Sequence, residues 1–470
     1  MRPQPEISEE AGSFLMTRNG FLKAAAASAV ALGTAGGASL LGGSPARAAR
    51  PPEGGPLYPL YIPPTTSPQS LSLTEAPAVV DIGGGQSQVW AYNDSFPGPS
   101  IVASRGDQAS IHLVNGLQQE TITHWHGMIV DEANDGGPFR TIPPGGTYDY
   151  SFTINQRGCL NFYHPHPHEL TGEQVNLGLA GAFIVRDDVE AGLGLPSGAR
   201  EVPLLIRDAT LDSAGNLSYK PRSGGFDGQI PLVNGTRRPF YVVGGDLYRF
   251  RVVNGANARI FGLTLSTGAP FTLIGNDGGF LETQSDLTRI DIAPGERLDL
   301  LVSFAGYQYE WVALRDARSN WDLLNFPVFS PGTGSVPTLA LPSIPKLSNP
   351  VTTRTFSFDG MSKINGKEFD PNRIDFRVPF GTTELWRFTT GGNAPHPVHV
   401  HGASFQVQSR TGGRGTVFPW ERGWKDTVLL EDRETVDVLI RFDGFRGRYV
   451  IHCHKLEHED MGMMSAFEVY

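Results

Sequence analysis

Four pairs of histidines, each pair separated by one residue, are the feature of this sequence most able to do chemistry. The pairs are HWH (124–126), HPH (164–166), HVH (399–401) and HCH (452–454). On a β-strand, residues two apart point to the same face and lie roughly 6–7 Å apart along the chain. Each pair therefore aims two imidazoles in one direction, and four pairs could converge on a metal cluster. Imidazole binds copper, zinc, iron and nickel, so the pairs alone leave the metal open.

The histidines are confined to two stretches of the chain, and the long segment between residues 169 and 395 has none. Of the twelve, six lie at positions 112, 124, 126, 164, 166 and 168, and six lie at 396, 399, 401, 452, 454 and 458. A single histidine on a strand surface is common, but four pairs restricted to two stretches are not explained by surface placement. The distribution therefore indicates that histidine is used here for chemistry.

The segment HCHKLEHEDMGMM (452–464) narrows the choice of metal. On a strand, Cys453 faces away from both of its histidine neighbours, so the thiolate and these two imidazoles must serve different sites. Cys453, His458 and Met463 follow one another at intervals of five, and His396 supplies a second imidazole. Two histidines, one cysteine and a weak methionine ligand form a blue-copper site, whereas zinc more typically recruits further cysteines or a carboxylate. Copper is therefore predicted, with Cys453 forming a short covalent path between two sites.

The elements that must hold these side chains are predicted to be short β-strands. Glycine (57) and proline (36) make up about a fifth of the 470 residues and only 18% are charged, a balance typical of strands joined by turns. The stretches 90–115, 230–254 and 362–390 each combine two alternating runs with a glycine-containing turn. Their repetition at roughly 140 residues predicts three copies of one sandwich. We place these domains at 71–190, 198–343 and 352–470, in an all-β protein.

Composition excludes several other classes of protein. A net charge of −10 leaves no basic surface for nucleic acid or an anionic membrane, and no apolar run in the body of the chain is long enough to span a bilayer. The two cysteines allow at most one disulfide, so no disulfide framework holds the fold. We therefore expect a soluble globular protein, which we predict to be monomeric, with Cys159 as a small buried side chain.

The N-terminus has the pattern of an export signal, predicted over residues 1–48. TRNGFLK (17–23) precedes a small-residue, weakly apolar stretch, and the sequence around Ala46–Ala48 offers a cleavage site before Ala49. The block resembles a twin-arginine signal in which Asn19 replaces the second arginine, and Met16 is a candidate initiator. The predicted location is therefore periplasmic or extracellular. The alternative interpretation of the N-terminal segment is a disordered tail without a signal function. Residues 49–70 are rich in proline and are predicted to form an extended tether.

Four motifs, in this order along the chain, carry a resemblance to a known family. They are HWHG (124–127), YHPHPH followed by TGEQVNLGLAGAFIV (163–185), HPVHVHG (396–402) and HCHKLEHEDMGM (452–463). Together they resemble the three-domain bacterial multicopper oxidases, in the branch of laccase-like enzymes and copper-efflux oxidases. The resemblance covers nearly the whole mature chain. It implies a cupredoxin-like Greek-key β-sandwich in each domain and four copper ions, one of type 1, one of type 2 and two of type 3.

The resemblance also implies a role for each motif residue. Type 1 copper would be held by His396, Cys453, His458 and Met463. Type 2 copper would be held by His124 and His399, and the type 3 pair by His126, His164, His166, His401, His452 and His454. Two carboxylates, Asp135 and Glu459, match family positions that supply protons for O2 reduction. The remaining histidines, His112 and His168, are predicted to be non-ligands, and WKDTV (424–428) is predicted to be framework.

The resemblance leaves the electron donor open. Copper-efflux oxidases often carry a methionine-rich segment that admits Cu(I), but this chain has only seven methionines, and we predict that Met461 and Met464 serve core packing. A laccase-like oxidase of phenols or aromatic amines, with O2 as acceptor, is therefore favoured, and oxidation of Cu(I) is the alternative. A third hypothesis is a non-catalytic structural relative, but such relatives lack ligands, and here every ligand position is filled.

Overall fold

The computed structural model describes residues 54–222, 224–392 and 395–470, in which the regular secondary structure is almost entirely β-strand. The all-β prediction is therefore confirmed. No helix within these ranges has the length and apolar character needed to cross a bilayer. The predicted export signal lies outside the described residues and stays a prediction.

The first unit is a sandwich of two sheets. It is preceded by β1 (Tyr58–Pro59), which belongs to a sheet of the second unit. Its own strands are β2 (Thr65–Thr66), β3 (Gln69–Asp81), β4 (Gln86–Tyr92), β5 (Gly98–Ser104), β6 (Gln108–Asn115), β7 (Thr123–His126), β8 (Thr147–Thr153), β9 (Cys159–Pro165) and β10 (Gly181–Arg186). One sheet has the order β4-β3-β6-β8 and the other β2-β5-β10-β9-β7. Leu113 and Tyr150 of the first sheet and Trp125 and Phe183 of the second share one apolar core. Short helices α1 (Glu132–Asp135), α2 (Thr171–Leu177) and α3 (Asp188–Gly192) connect the strands.

The second unit follows the same plan and begins after a 3₁₀ turn at Gly198–Arg200. Its strands are β11 (Glu201–Ala209), β12 (Ile230–Val233), β13 (Thr236–Arg237), β14 (Pro239–Phe240), β15 (Val243–Gly244), β16 (Leu247–Asn254), β17 (Phe261–Leu265), β18 (Phe271–Asn276), β19 (Gly279–Leu287), β20 (Ile290–Ile292), β21 (Arg297–Ser303), β22 (Trp311–Asp316) and β23 (Trp321–Ser330). The sheets run β13-β12-β11-β16-β21-β18-β19 and β1-β14-β23-β22-β17-β20. Val252, Leu300, Leu263 and Phe326 form part of the core between them.

The third unit contains two five-stranded sheets. Its strands are β24 (Thr353–Asp359), β25 (Lys363–Ile364), β26 (Phe376–Val378), β27 (Thr383–Thr389), β28 (His396–Val400), β29 (Phe405–Gly412), β30 (Thr427–Leu430), β31 (Glu434–Arg441), β32 (Gly447–Cys453) and β33 (Met464–Val469). Their orders are β25-β24-β27-β31-β29 and β26-β33-β32-β28-β30. A 3₁₀ turn at Pro419–Glu421 and helix α4 (Leu456–Asp460) complete the unit. Trp386, Val438 and Cys453 lie in its core.

Alternation along single strands explains why these segments fold as they do. In β6, Ala109, Ile111 and Leu113 are buried, whereas His112 between them points outward. Residues of opposite parity on a strand face opposite sides, so an alternating sequence buries one face and solvates the other. The second alternating run of each repeated stretch corresponds to β6, β16 and β27 in turn. β16 is an exception to the solvated face, because Arg249 and Arg251 are buried there and pair with Asp299 and Glu201.

The predicted tether is the part of the chain where the structure differs from expectation. Tyr58 and Pro59 pair with Pro239 and Phe240 of the second unit, and β2 pairs with β5 of the first unit. Leu60 is buried in the core of the second unit. The described part of the proline-rich segment is therefore packed along two sandwiches rather than extended away from them. Proline suits such a position because edge strands tolerate its missing N–H group.

Candidate metal centres

Two strand ladders, one from the first unit and one from the third, carry the histidine pairs. In the first, His124 on β7 lies opposite His164 on β9. In the second, His399 on β28 lies opposite His452 on β32. The ladders face each other, because the ring of His124 stacks on that of His401 with centroids 3.9 Å apart. The tertiary fold thus brings residues from the two ends of the chain into one buried cluster.

The candidate ligands of the cluster form overlapping groups, in one of which His126 lies with His124 and His399; one division of the eight histidines is into two trios and one pair. In each trio the candidate ligand atoms all lie within 4.8 Å of one another, close enough to hold one metal ion. One trio comprises His166, His401 and His452, and the other comprises His126, His164 and His454. The pair is His124 and His399, whose rings lie 5.9 Å apart. In this division the pair consists of the two histidines that the resemblance assigns to type 2 copper, and the two trios contain the six that it assigns to the type 3 pair.

Hydrogen bonds on the outer side of the rings determine which nitrogen faces the cluster. The Nδ1 atom of His124 donates to the carbonyl oxygen of Asp135 at 2.7 Å, and that of His399 donates to the carbonyl of Asp426 at 2.9 Å. Their Nε2 atoms are buried and have no hydrogen-bond partner. An unpaired buried polar atom typically costs about 1–3 kcal/mol. These orphaned nitrogens, all aimed inward, fit metal coordination.

His126 is oriented the opposite way. Its Nε2 atom donates to Oδ1 of Asp426 at 3.1 Å and also lies 3.1 Å from the hydroxyl oxygen of Thr427, whereas its Nδ1 atom has no partner. The Nδ1 side is therefore the one available to a metal. Fixing the tautomer of a ligand histidine through its other nitrogen is a common feature of metal sites.

Burial favours the neutral form of at least four imidazoles of the cluster. Burial lowers the pKa of both His164 and His166 to about 3, with further lowering by neighbouring histidines. Burial also lowers the pKa of His401 and His452 well below the usual value. Neutral imidazoles retain the lone pair that a metal requires, and repulsion among protonated rings is avoided.

A second candidate centre lies in the core of the third unit. The Sγ atom of Cys453 is 3.5 Å from Nδ1 of His396 and 3.6 Å from Nδ1 of His458, and the two nitrogens are 3.3 Å apart. A point equidistant from these three atoms lies about 2.0 Å from each, close to the length of a metal–imidazole bond. The three donor atoms therefore match the size of a trigonal copper site of two histidines and one cysteine.

The loop that closes this second centre brings Met463 to it. The backbone N–H of Met463 donates to the carbonyl of His458 at 2.8 Å, and its carbonyl accepts from the N–H of Cys453 at 3.1 Å. The Met463 side chain is fully buried. Burial raises the pKa of the Cys453 thiol to about 12, so the thiolate forms only when a cation compensates its charge.

The two predicted catalytic carboxylates contact the trio of His166, His401 and His452. Asp135 accepts through Oδ2 from Nδ1 of His401 at 2.8 Å, and Oε1 and Oε2 of Glu459 lie 3.3 and 3.1 Å from Nδ1 of His166 and His452. Burial raises the pKa of both carboxyl groups. All three imidazoles of this trio thus have a buried carboxyl group behind them.

Asp135 also lines a cleft at the junction of the first and third units. The cleft is bordered by Phe139 and by an ion pair between Glu132 and Arg448, with Arg448 Nη2 2.7 Å from Oε1 of Glu132. This pair joins α1, which ends at Asp135, to the strand that carries His452 and Cys453. The cleft brings solvent close to a carboxyl group that contacts the cluster.

The remaining histidines and the second cysteine lie away from both centres. His112 is exposed on β6, with Nδ1 2.7 Å from Oδ1 of Asp149. His168 packs its ring against Phe369 and belongs to neither trio. Cys159 is buried and accepts from the side-chain amide of Asn161 at 3.3 Å. None of these three residues belongs to a group of candidate ligands, and their lack of a ligand role stays a prediction.

Two sequence interpretations are wrong. Residues 424–428 were predicted to be framework, but Asp426 and Thr427 contact His126 directly. One sequence feature could have indicated a functional role: Lys425 and Asp426 are adjacent charged residues directly before the apolar strand β30. Core packing was predicted for Met461 and Met464; this is confirmed for Met464, which is buried in an apolar cluster, and wrong for Met461, whose side chain is 39% exposed.

Comparison with known proteins agrees with this geometry. Three family profiles, each described as multicopper oxidase, match residues 75–190, 208–321 and 338–470. A multicopper oxidase of Staphylococcus haemolyticus is 34% identical over 392 residues, covering 82% of this chain and 84% of the relative. A laccase of Bacillus subtilis is 30% identical and covers 82% of this chain and 90% of the relative.

Solved structures show the same similarity in three dimensions. The McoA multicopper oxidase of Aquifex aeolicus superposes with a TM-score of 0.82 at 32% identity, covering 88% of this chain and 99% of that one. A multicopper oxidase from Campylobacter jejuni described as a metallo-oxidase has a TM-score of 0.75 at 26% identity, covering 87% and 96%. The chain therefore belongs to the multicopper oxidases, as a copper-dependent, laccase-like oxidoreductase of the bacterial group that uses O2.

Proposed function

We propose that the protein oxidises phenols or aromatic amines, one electron at a time, at the Cys453 centre and uses the electrons to reduce O2 to water at the histidine cluster. The observation that carries this proposal is the placement of three consecutive residues. Cys453 contributes its sulfur to one centre, whereas His452 belongs to one trio of the cluster and His454 to the other. Electrons can therefore pass between the centres through a few covalent bonds.

Each part of the chain has a task in this scheme. Copper, when bound, supplies the one-electron redox steps and the interaction with O2. The reaction consumes four electrons and four protons for each O2 and yields two water molecules. Asp135 and Glu459 hold protons behind the cluster imidazoles, because burial raises their pKa values and favours the protonated forms. Burial of the ligands excludes bulk water from the reacting oxygen species.

Copper content together with the visible spectrum is the decisive test. We expect about four copper ions per chain, as the family's ligand sets require, and an intense blue thiolate-to-copper band from the cysteine site. Elemental analysis and absorption spectroscopy of protein loaded with copper under anaerobic conditions would measure both. Zinc-loaded protein is the control, since it fills sites without producing a blue band. A chain that binds one copper or none would contradict the proposal.

The choice of organic donors over Cu(I) rests on the small number of methionines. Oxidation of Cu(I) is the second candidate, and two observations favour it. Of the methionines that the structure describes, Met361 and Met461 are the exposed ones, at 37% and 39%. Their loops touch, because a Cβ placed on Gly462 would lie 3.6 Å from the carbonyl oxygen of Ser362. Thioethers are soft ligands suited to Cu(I).

Steady-state rates with a substituted phenol and with Cu(I) separate the two candidates. We expect faster turnover of the phenol and no change in its rate in the Met361→Leu and Met461→Leu variants, because leucine has similar volume without a soft donor. Oxygen consumption measures both reactions on the same scale. Faster turnover of Cu(I), with a fall in that rate in the leucine variants, would overturn the preference for organic donors.

A further inference from the structure

The second unit has no histidine, yet one of its turns reaches the histidine cluster. The turn joins β20 to β21, and its Gly295 has a φ of +83°. A Cβ atom at this position would lie 3.0 Å from Cε1 of His126 and 3.0 Å from Cγ of His454. Such contacts are tighter than nearly all real Cβ contacts, and the positive φ also disfavours a side chain, so the bare backbone of Gly295 packs directly against two members of one trio.

Arg297, two residues later, ties the same turn to both other units. Its side chain is completely buried, and Nε donates to the carbonyl of Leu160 on β9, at 3.0 Å. Its Nη1 donates to the carbonyl of Gly295 at 2.8 Å and to Oδ1 of Asp426 at 2.6 Å, and Nη2 donates to Oδ2 of Asp426. The guanidinium therefore holds both carboxylate oxygens of Asp426 in one plane.

Asp426 passes this orientation on to the cluster. Oδ1 of Asp426 accepts from Nε2 of His126, and this contact turns Nδ1 of His126 inward. The hydroxyl of Thr427 also donates to Oδ1 of Asp426, at 2.9 Å. A chain of direct contacts thus runs from Arg297 through Asp426 to His126.

We propose that the turn Gly295–Arg297 of the histidine-free second unit is a positioning element of the copper cluster, with Arg297 acting through Asp426 to orient His126. The inference rests on the proposed function, because it requires that the trio of His126, His164 and His454 binds copper. Without the paired hydrogen bonds from the Arg297 guanidinium, the Asp426 carboxylate can rotate. The His126 ring can then turn its other nitrogen inward. Glycine at 295 is favoured for a separate reason, since a Cβ there has a strained φ and pushes the His126 and His454 rings by a few tenths of an ångström.

A purely structural role for Arg297 predicts a different result from a positioning role. Arg297 also lies near Asp277, in a buried network that includes Lys425 and Glu296, so its loss could loosen the junction of the units as a whole. General loosening would release copper from every site in parallel. If Arg297 has a positioning role, its replacement affects the cluster copper only. The Cys453 centre, which Arg297 does not contact, keeps its metal. The blue band is therefore an internal control in the same molecule.

The experiment is a competition between the copper-loaded, full-length protein and a graded chelator, with retained copper and the blue band measured together. For Arg297→Lys, which keeps the charge but loses the fork, we expect the cluster copper to be released at roughly 10- to 100-fold lower chelator concentration. The blue band should persist to the wild-type concentration. Arg249→Lys is the matched control, since Arg249 is equally buried in the same unit and forks onto Asp299, remote from the candidate ligands.

Two further variants keep the proposal falsifiable. Gly295→Ala should show the same selective release without any change of charge, and it decides the question if Arg297→Lys fails to fold. In Asp426→Asn, the added Arg297→Lys change should weaken retention no further, because residues acting through one another are not additive. Wild-type retention in both single variants, or release in parallel with the blue copper, overturns the proposal. A wild-type chain without the four coppers would instead overturn the proposed function itself.

Discussion

Replacing Cys453 with serine is expected to abolish oxidation of organic donors while the histidine cluster keeps its copper. The thiolate is the ligand that gives the blue site its character, and it is the bond path to His452 and His454. A serine hydroxyl is a poor ligand of copper and carries electrons poorly. We expect turnover to fall by roughly a thousandfold or more, a large part of a typical enzyme acceleration of at least about 10⁶.

The spectrum and copper content of Cys453→Ser identify the cause of this loss. The blue band should vanish and one copper per chain should be missing, while the thermal stability of the metal-free protein changes little. Cys159→Ser is the matched control, because Cys159 is equally buried but lies outside both centres. It should retain the blue band and the rate. A serine variant at 453 that stays blue or active would show that electrons enter elsewhere.

Replacing Asp135 with asparagine should slow O2 reduction roughly 10²- to 10⁴-fold, the usual contribution of a positioned proton donor. Asparagine preserves the shape, and its amide oxygen can still accept the hydrogen bond from His401. It cannot deliver a proton. Because the Cys453 centre is separate, reduction of the blue copper by the donor should proceed at the wild-type rate.

Rapid mixing separates these two half-reactions. Bleaching of the blue band under anaerobic conditions measures donor oxidation, and its return on adding O2 measures turnover at the cluster. Asp149→Asn is a suitable control, since Asp149 is exposed and pairs with the non-ligand His112. Glu459→Gln tests the second carboxyl group in the same way. Unchanged reoxidation in Asp135→Asn, with copper content intact, would remove Asp135 from the proton path.

Local geometry made the histidine pairs predictable. Side-chain direction on a strand depends only on the parity of the position, so HCH alone implies that Cys453 points away from its two neighbours, as β32 shows. Strand alternation likewise made β6, β16 and β27 visible in the sequence. The packing of the proline-rich segment could not be predicted in this way. Tyr58 pairs with Pro239, which is distant in sequence, and the segment has no alternation of apolar and polar residues to detect.

The sequence by itself determined the all-β class, the copper chemistry of the Cys453 loop and the two stretches that carry ligands, because these follow from residue type and short-range spacing. Only the tertiary structure decided how the four pairs divide in space, since His124 stacks on His401 across two units. It alone revealed Asp426, Arg297 and Gly295 at the cluster. The sequence does not show whether a charged residue is buried or exposed. The difference depends on the residues that pair with it in the folded protein, and these are distant along the chain.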